Sequence, residues 1–232
     1  MGDYNQLLWI RENRNLVKGP ILEVGSKFYD PSTSIDYRSI FPSFEYLGMD
    51  LESGKNVDVV CDLTQDFDDF PEVLQSTKYQ TVICCSVMEH VKDIYKAANN
   101  ISHLVKKGGV LFISTPFIWQ FHGYPSDYWR FTPEAIKFLF REFDFDTIGT
   151  NTISSNTDND MQKLSRDPND FLYKNELYQF QQDIKNPILR KLKRVLHFFG
   201  NKNFRKEYLL RQVLKKEKRF PYTSINLVGV KK

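Results

Sequence analysis

Two aspartates that follow short apolar runs are the clearest candidates for binding a ligand. Asp50 ends the run EYLGMD, 25 residues after Gly25, and Asp62 directly follows VDVVC. A carboxylate at the end of a strand can accept hydrogen bonds from both hydroxyls of a ribose, whereas two carboxylates repel phosphate. The loop at Gly25 also lacks the G-x-G-x-x-G and G-x-x-x-x-G-K-[ST] motifs of phosphate binding. These residues predict a nucleoside ligand without phosphates and disfavour a nicotinamide-dependent oxidoreductase.

Five short apolar runs must position these residues. They cover residues 21–25, 45–49, 57–61, 80–86 and 109–115, and they are continuously apolar rather than alternating. This pattern is typical of parallel strands covered on both faces. Helical patterns precede the first run and separate the last two. The alternation predicts an α/β fold with a doubly wound parallel sheet, whose ligand lies beyond the carboxyl ends of the strands.

The same runs carry a family resemblance over about residues 18–150 and the last strand. ILEVGS, YLGMDL, VDVVCDL, ICCSVMEHV and LVKKGGVLFISTPF follow one another in this order. They resemble the motifs of class I S-adenosylmethionine-dependent methyltransferases, in particular the methyltransferase type 11-like group. The resemblance implies a Rossmann-like, mostly parallel sheet of seven strands whose last strand runs antiparallel, and S-adenosyl-L-methionine as the cofactor.

The resemblance also implies a role for the residues after each strand. The cofactor-binding residues would be Glu23 and Gly25 at the methionine end, Asp50 with Leu51 at the ribose, Asp62 with Leu63 at the adenine, and Ser86 on the path to the sulfonium. The later glycines of the family's loop are replaced here by Ser26 and Lys27. Binding of the cofactor therefore depends on whether Ser26 and Lys27 leave room for it to approach the backbone at Gly25. A role for Asp50 and Asp62 as caps of turns or helices remains an alternative.

A second cluster of polar and aromatic residues follows the fifth strand and is predicted to lie over the same pocket. It is the segment HGYPSDYWRFTPEA, residues 122–135, which also resembles a D-Y-W-R-F-T-P element of the same group. Its predicted substrate-binding residues are Tyr124, Asp127, Tyr128, Trp129 and Arg130. In the alternative, Asp127 and Arg130 pair to fix the loop while the aromatic side chains pack beneath it.

Methyl transfer to a hydroxyl also needs a base, and two histidines are candidates. His122 is the first and His90 the second. Glu89 could instead join these two histidines in binding a divalent metal. Ser86 occupies the position at which metal-dependent methyltransferases of similar appearance carry another glutamate, so no metal is predicted.

The charge of the chain is distributed unevenly. Residues 1–184 carry 17 Lys and Arg against 27 Asp and Glu, whereas residues 185–219 carry 13 against 2. Two more strands are predicted at 145–153 and 224–232, so we expect one domain over residues 1–232 with a helical, basic insertion at 154–222. Its amphipathic pattern favours three roles: packing on the fold, peripheral contact with an anionic membrane through 185–219, or recognition of an anionic substrate.

Composition narrows the remaining possibilities. No apolar run reaches the length of a membrane span, and the cysteine spacing matches no zinc site or redox pair, so a cytoplasmic protein is expected. The acidic body also disfavours nucleic acid as a partner. We therefore predict a methyltransferase acting at an oxygen of a small molecule or saccharide. The alternative is a non-catalytic methyltransferase-like binding or scaffold protein.

Overall fold

The computed structural model describes residues 4–29, 36–123, 126–154, 161–164 and 223–232. The described residues up to Lys163, together with those at the carboxyl terminus, belong to one compact unit. Most of the predicted insertion, including the basic segment 185–219, lies outside the described residues. No helix in the described ranges is long and apolar enough to cross a membrane.

Besides four three-residue 3-10 helices, the described residues form four α-helices and nine strands. The helices are α1 (Tyr4–Glu12), α2 (Glu72–Ser76), α3 (Ile94–Leu104) and α4 (Pro133–Leu139). The strands are β1 (Ile21–Val24), β2 (Tyr46–Asp50), β3 (Val59–Val60), β4 (Tyr79–Cys85), β5 (Val105–Pro116), β6 (Phe143–Asp144), β7 (Thr152–Ser154), β8 (Met161–Lys163) and β9 (Ser224–Lys231).

All nine strands belong to one sheet in the order β3-β2-β1-β4-β5-β9-β7-β8, and β6 also pairs with β9. Strands β1 to β5 pair in parallel, and β9 is antiparallel to β5. The predicted α/β class, the mostly parallel sheet and the antiparallel last strand are therefore confirmed. The reversal of strand order lies between β1 and β4, which places a ligand site at their carboxyl ends.

The strand count differs from the predicted seven because of the region after α4. Most of the predicted strand at 145–153 lies outside the sheet, because β6 ends at Asp144, just before it, and β7 begins only at Thr152. Both short strands pair with β9. Between them, Oδ1 of Asp144 accepts hydrogen bonds from the amides of Asp146 (2.8 Å) and Thr147 (3.1 Å) and turns the chain out of the sheet. Strand β8 then extends the sheet within residues 154–222, where a helical insertion was predicted.

Helix caps explain the limits of α3 and α4. The side chain of Asp93 accepts from the amide of Lys96 at 3.0 Å and begins α3. The side chain of Thr132 begins α4 by accepting from the amide of Ala135. Helix α3 ends at Leu104, because Val105 already pairs with Tyr79 in the sheet. Lys106 and Lys107 therefore lie in β5.

The core beside β4 and β5 is built with α1. Trp9 and Ile10 are fully buried against Ile83 and Phe112, and the rings of Trp9 and Phe112 meet edge to face with centroids 5.3 Å apart. Burying side chains of this size contributes about 1.5–3 kcal/mol each. This packing fixes α1 on the sheet and brings its polar residue Gln6 to the ends of β4 and β5.

Candidate functional site

A cavity of about 550 Å³ opens at the carboxyl ends of β1 to β4. Its wall includes most of the predicted cofactor-binding residues, namely Gly25, Asp50, Leu51, Asp62, Leu63 and Ser86. His90, Ser126 and Tyr128 line it as well. The parallel strands therefore bring together residues that are up to about 100 positions apart in the sequence.

Gly25 forms the turn after β1 and approaches the cavity with its backbone. Its φ is +78°, and a Cβ atom at this position would lie 2.3 Å from Cγ2 of Val87, another lining residue. Glycine alone adopts this conformation without strain, and it leaves room where a side chain would press on the wall. The structure therefore explains why this position requires glycine.

Ser26 and Lys27, which replace the family's later glycines, do not line the cavity. The amide of Lys27 donates to Oδ2 of Asp50 at 3.0 Å, and its ammonium group pairs with Glu52 at 2.6 Å. Ser26 is buried. The two replacements thus leave the approach at Gly25 open.

Both candidate carboxylates line the cavity and also bind backbone amides. Oδ1 of Asp50 accepts from the amide of Glu52 at 3.3 Å, and Oδ1 of Asp62 accepts from the amide of Thr64 at 2.7 Å. Both carboxylates therefore stabilise turns, as the alternative interpretation predicted. Since each carboxylate has further acceptor sites, these bonds leave capacity for a ligand.

The loop after β3 is held by a buried residue of α3. Nδ2 of Asn100 donates to the carbonyls of Leu63 (2.8 Å) and Gln65 (2.9 Å). This fixes Leu63 at the cavity wall beside Asp62. The sequence offered no sign of this contact, because the residues lie 37 and 35 positions apart.

Ser86, at the end of β4, has a strained backbone and a buried partner. Its φ is +54°, which is unfavourable for a residue with a side chain. Nε2 of Gln6 donates to Oγ of Ser86 at 3.0 Å and to Oγ of Ser114 at 2.8 Å. Helix α1 thereby supports the cavity wall, a contribution that the sequence analysis missed.

Glu23 differs from the other predicted cofactor-binding residues, because it is not part of the cavity wall. It lies within β1, is 4% exposed and accepts a hydrogen bond from the hydroxyl of Tyr46 at 2.8 Å. Burial raises the pKa of this carboxyl to about 7, although the bond from Tyr46 and the charge of Arg38 oppose the shift. The structure thus gives Glu23 a partly buried partner on the neighbouring strand β2.

The segment after β5 is held together by an ion pair. Arg130 binds both carboxylate oxygens of Asp127, at 2.5 and 2.8 Å, and its Nη2 also donates to the carbonyls of Trp119 and Gln120. The Arg130 guanidinium holds the pKa of Asp127 well below its usual range. The alternative prediction, that Asp127 and Arg130 pair and fix the loop, is therefore confirmed.

Two aromatic residues of this segment, Tyr128 and Trp129, are not packed beneath the loop. Tyr128 is 49% exposed and Trp129 is 38% exposed. The amide of Tyr128 donates to the carbonyl of Glu89, and Nε1 of Trp129 donates to the carbonyl of Val91, both at 2.8 Å. These bonds hold the loop against the segment after β4. Tyr124 lies outside the described residues.

The two candidate base residues lie side by side. The rings of His90 and His122 meet edge to face with centroids 5.0 Å apart. His90 lines the cavity and His122 does not. Nδ1 of His90 lies 2.6 Å from the carbonyl of Ser126, and burial lowers the pKa of His90. Because a carbonyl can only accept, Nδ1 carries the proton and Nε2 keeps its lone pair.

Comparisons with known proteins agree with this architecture. Residues 27–149, just over half of the chain, match a family model described as a methyltransferase domain. An uncharacterized protein of Methanocaldococcus jannaschii is 27% identical over 106 residues, which cover 42% of this chain and 28% of that protein.

Two solved structures are similar over nearly the whole chain. A SAM-dependent methyltransferase from Archaeoglobus fulgidus has a TM-score of 0.51 at 14% identity and covers 97% of this chain and 92% of its own. An S-adenosylmethionine-dependent methyltransferase from Clostridium acetobutylicum has a TM-score of 0.50 at 9% identity, with coverages of 98% and 92%. At these identities the two structures establish a shared fold.

Proposed function

Because the chain belongs to the methyltransferase domain family that matches residues 27–149, we propose that it transfers a methyl group from S-adenosylmethionine to an oxygen of a small-molecule or saccharide acceptor. Family membership confirms the predicted family, and S-adenosylmethionine is the cofactor that this family implies. The observation that carries the proposal is the cavity beyond β1 to β4, which combines Gly25 with the carboxylates of Asp50 and Asp62.

The cavity wall fits this cofactor in shape and in chemistry. The open turn at Gly25 admits a ligand close to the backbone, and the carboxylates of Asp50 and Asp62 can accept ribose hydroxyls and an exocyclic amine. Apolar walls at Met49, Leu51 and Leu63 suit the face of a purine. When bound, S-adenosylmethionine supplies an electrophilic methyl group on a positively charged sulfur.

We assign the base to His90, the second of the two candidates from the sequence. It is the one that lines the cavity, and its Nε2 is free to take a proton while Nδ1 is held by Ser126. In this role Nε2 of His90 would take the proton of the acceptor hydroxyl, and S-adenosylmethionine, when bound, would supply the methyl group that the hydroxyl oxygen receives. His122 packs against the ring and limits its rotation.

Exposed aromatic and polar groups near the cavity support a saccharide or a related hydroxylated acceptor. The exposed side chain of Tyr128 lines the cavity, and Trp129 is its neighbour in the sequence. Aromatic faces beside hydrogen-bonding groups can hold a sugar ring, whose own faces are apolar and whose edges are polar. We place the acceptor at this end of the cavity, with Asp127 and Arg130 shaping the loop.

A direct test measures cofactor binding and turnover separately. Calorimetry with S-adenosylmethionine and S-adenosylhomocysteine should detect binding of both, and S-adenosylhomocysteine should form with at least one member of a panel of sugars, sugar acids and phenols. His90→Gln should abolish turnover, whereas His103→Gln, on the exposed side of α3, should not. The proposal would be overturned if neither S-adenosylmethionine nor S-adenosylhomocysteine binds, or if Asp50→Ala leaves their affinity unchanged. Binding without turnover on any acceptor would favour the non-catalytic alternative.

A further inference from the structure

We propose that Glu89, His90 and His122 form a binding site for a divalent transition-metal cation at the acceptor end of the cavity. Binding of the cation does not depend on the proposed function, but a role of the cation in catalysis rests on it. From the sequence no metal is expected, because Ser86 stands where metal-dependent methyltransferases of similar appearance carry a glutamate. The geometry of the three remaining residues favours the opposite conclusion.

The three side chains converge on one point. One ring nitrogen of each histidine and one carboxylate oxygen of Glu89 lie within 4.8 Å of one another. Oε1 of Glu89 is 3.9 Å from Nε2 of His90. These separations are close to those between neighbouring ligands of one cation, so side-chain shifts of about 1 Å would complete the site.

Hydrogen bonds orient both histidines as metal ligands are usually oriented. Nδ1 of His90 donates to the Ser126 carbonyl, and Nδ1 of His122 lies 3.2 Å from both the Gln120 carbonyl and Oδ2 of Asp127. Each of these partner atoms is an acceptor, so each Nδ1 carries a proton and each Nε2 keeps a lone pair. Metal-binding histidines typically donate the other ring N–H to a carbonyl or carboxylate in this way.

Glu89 supplies a second and independent indication. Its side chain is 1% exposed, and Oε2 has no hydrogen-bond partner among the described residues. A buried carboxylate oxygen without a partner is costly, since burial removes its hydration and nothing replaces it. A cation bound between Glu89 and the two histidines would compensate this cost. Asp127 cannot fill that need, because it is a carboxylate already paired with Arg130.

The donor set indicates the class of cation. Two imidazoles and one carboxylate suit first-row transition metals such as Zn²⁺, Co²⁺ or Mn²⁺ better than Mg²⁺ or Ca²⁺, which prefer oxygen ligands alone. Three protein ligands leave coordination positions open, and His90 places them beside the cavity. A hydroxyl of the acceptor bound there would lose its proton more readily, and the cation would then replace His90 as the group that activates the acceptor.

Cation titrations of the full chain test this site. The protein is freed of metal with a chelator and titrated with Co²⁺, followed by visible absorption, and with Mn²⁺, followed by electron paramagnetic resonance. We expect about one site per chain, with an affinity at least about tenfold weaker in Glu89→Gln and His122→Ala. His103→Ala removes an exposed histidine outside the cluster and should leave the affinity unchanged.

The outcomes separate this inference from the proposed function. Glu89→Gln keeps the shape of the side chain, so circular dichroism and S-adenosylhomocysteine affinity should match the wild type even when cation binding is lost. Absence of cation binding by the wild type, or equal affinity in the wild type and Glu89→Gln, would overturn the metal site. Either result would leave His90 as the proposed base and cofactor binding intact.

Discussion

The backbone amide of Lys27 donates a hydrogen bond of 3.0 Å to Oδ2 of Asp50, joining the loop after β1 to the end of β2. The other oxygen of the same carboxylate accepts from the amide of Glu52. Both bonds hold the carboxylate in one orientation at the cavity wall. The residue that replaces a family glycine thus positions the group that is proposed to bind the ribose.

Asp50→Asn should therefore weaken cofactor binding. The substitution removes the charge and one acceptor oxygen, and hydrogen bonds to a charged acceptor contribute about 1.5–3 kcal/mol. The affinity for S-adenosylhomocysteine measured by calorimetry should fall about tenfold to hundredfold. Asp146→Asn is the matched control, because Asp146 pairs with Lys137 on the surface. An affinity of Asp50→Asn within twofold of the wild type would contradict the assignment.

Gly25→Ala should destabilise the protein and also close the cavity. At φ = +78°, an alanine costs about 1 kcal/mol or more in the backbone. Its Cβ would in addition displace Val87 in the cavity wall. We expect a lower free energy of unfolding in urea and a loss of measurable binding of S-adenosylhomocysteine.

Gly108→Ala controls for the backbone contribution to this result. Gly108 has a similar φ of +75°, but a Cβ atom there would meet nothing within 4 Å. This variant should lose stability by the backbone cost alone and bind the cofactor product normally. If both variants bind equally well, Gly25 does not form part of the cofactor site.

Much of the cofactor end of the site follows from local sequence patterns. Continuous apolar runs identified the parallel strands, and the rule that ligands lie beyond strand ends brought Gly25, Asp50 and Asp62 together. Glu23 does not follow this rule, because it lies inside β1 rather than after it. Its burial beside Tyr46 depends on pairing between β1 and β2, which the residue types alone do not specify.

The supporting contacts could not be predicted because they join distant parts of the chain. Gln6 reaches Ser86 and Ser114 across 80 and 108 positions, and no motif marks such a contact. The turn at Asp144 is a different case, because its hydrogen bonds to the amides of Asp146 and Thr147 are local. They compete with the sheet at the start of the predicted strand, and apolar patterning does not register them.

Asp127→Asn should loosen the segment after β5 while sparing the cofactor. It removes one charge of a two-pronged ion pair whose carboxylate is 1% exposed, which we expect to cost about 1–3 kcal/mol in the free energy of unfolding. S-adenosylhomocysteine affinity should change little, because Asp127 does not line the cavity. Urea denaturation and calorimetry measure the two effects.

Asp66→Asn is the control for this prediction. Asp66 and Lys96 also form an ion pair, at 2.6 Å, but the aspartate is 75% exposed, so its loss should have little effect on stability. Equal stability of the two variants would show that the Asp127–Arg130 pair does not hold the segment.

Glu23→Gln should remove part of the pH dependence of stability. Burial raises the pKa of Glu23 from its ordinary value of 4.5 to about 7 in the folded protein. Between these values the unfolded chain releases a proton that the folded protein retains, so this residue favours unfolding progressively as pH rises from 4.5 to 7. The free energy of unfolding therefore falls by about 3 kcal/mol over this pH range.

Glutamine cannot ionise but can still accept the hydrogen bond from Tyr46. Glu23→Gln should therefore resemble the wild type at pH 4.5 and exceed it in stability at pH 7.5, as measured by urea denaturation at both values. Glu134→Gln, at an exposed position in the first turn of α4, should follow the wild type at both values. Burial also raises the pKa of Glu89, to about 8. Because Glu89 is present in both proteins, the difference in stability between wild type and Glu23→Gln reports the titration of Glu23 alone. A constant difference in stability between pH 4.5 and 7.5 would show that Glu23 titrates normally, and burial beside Tyr46 would then not raise its pKa.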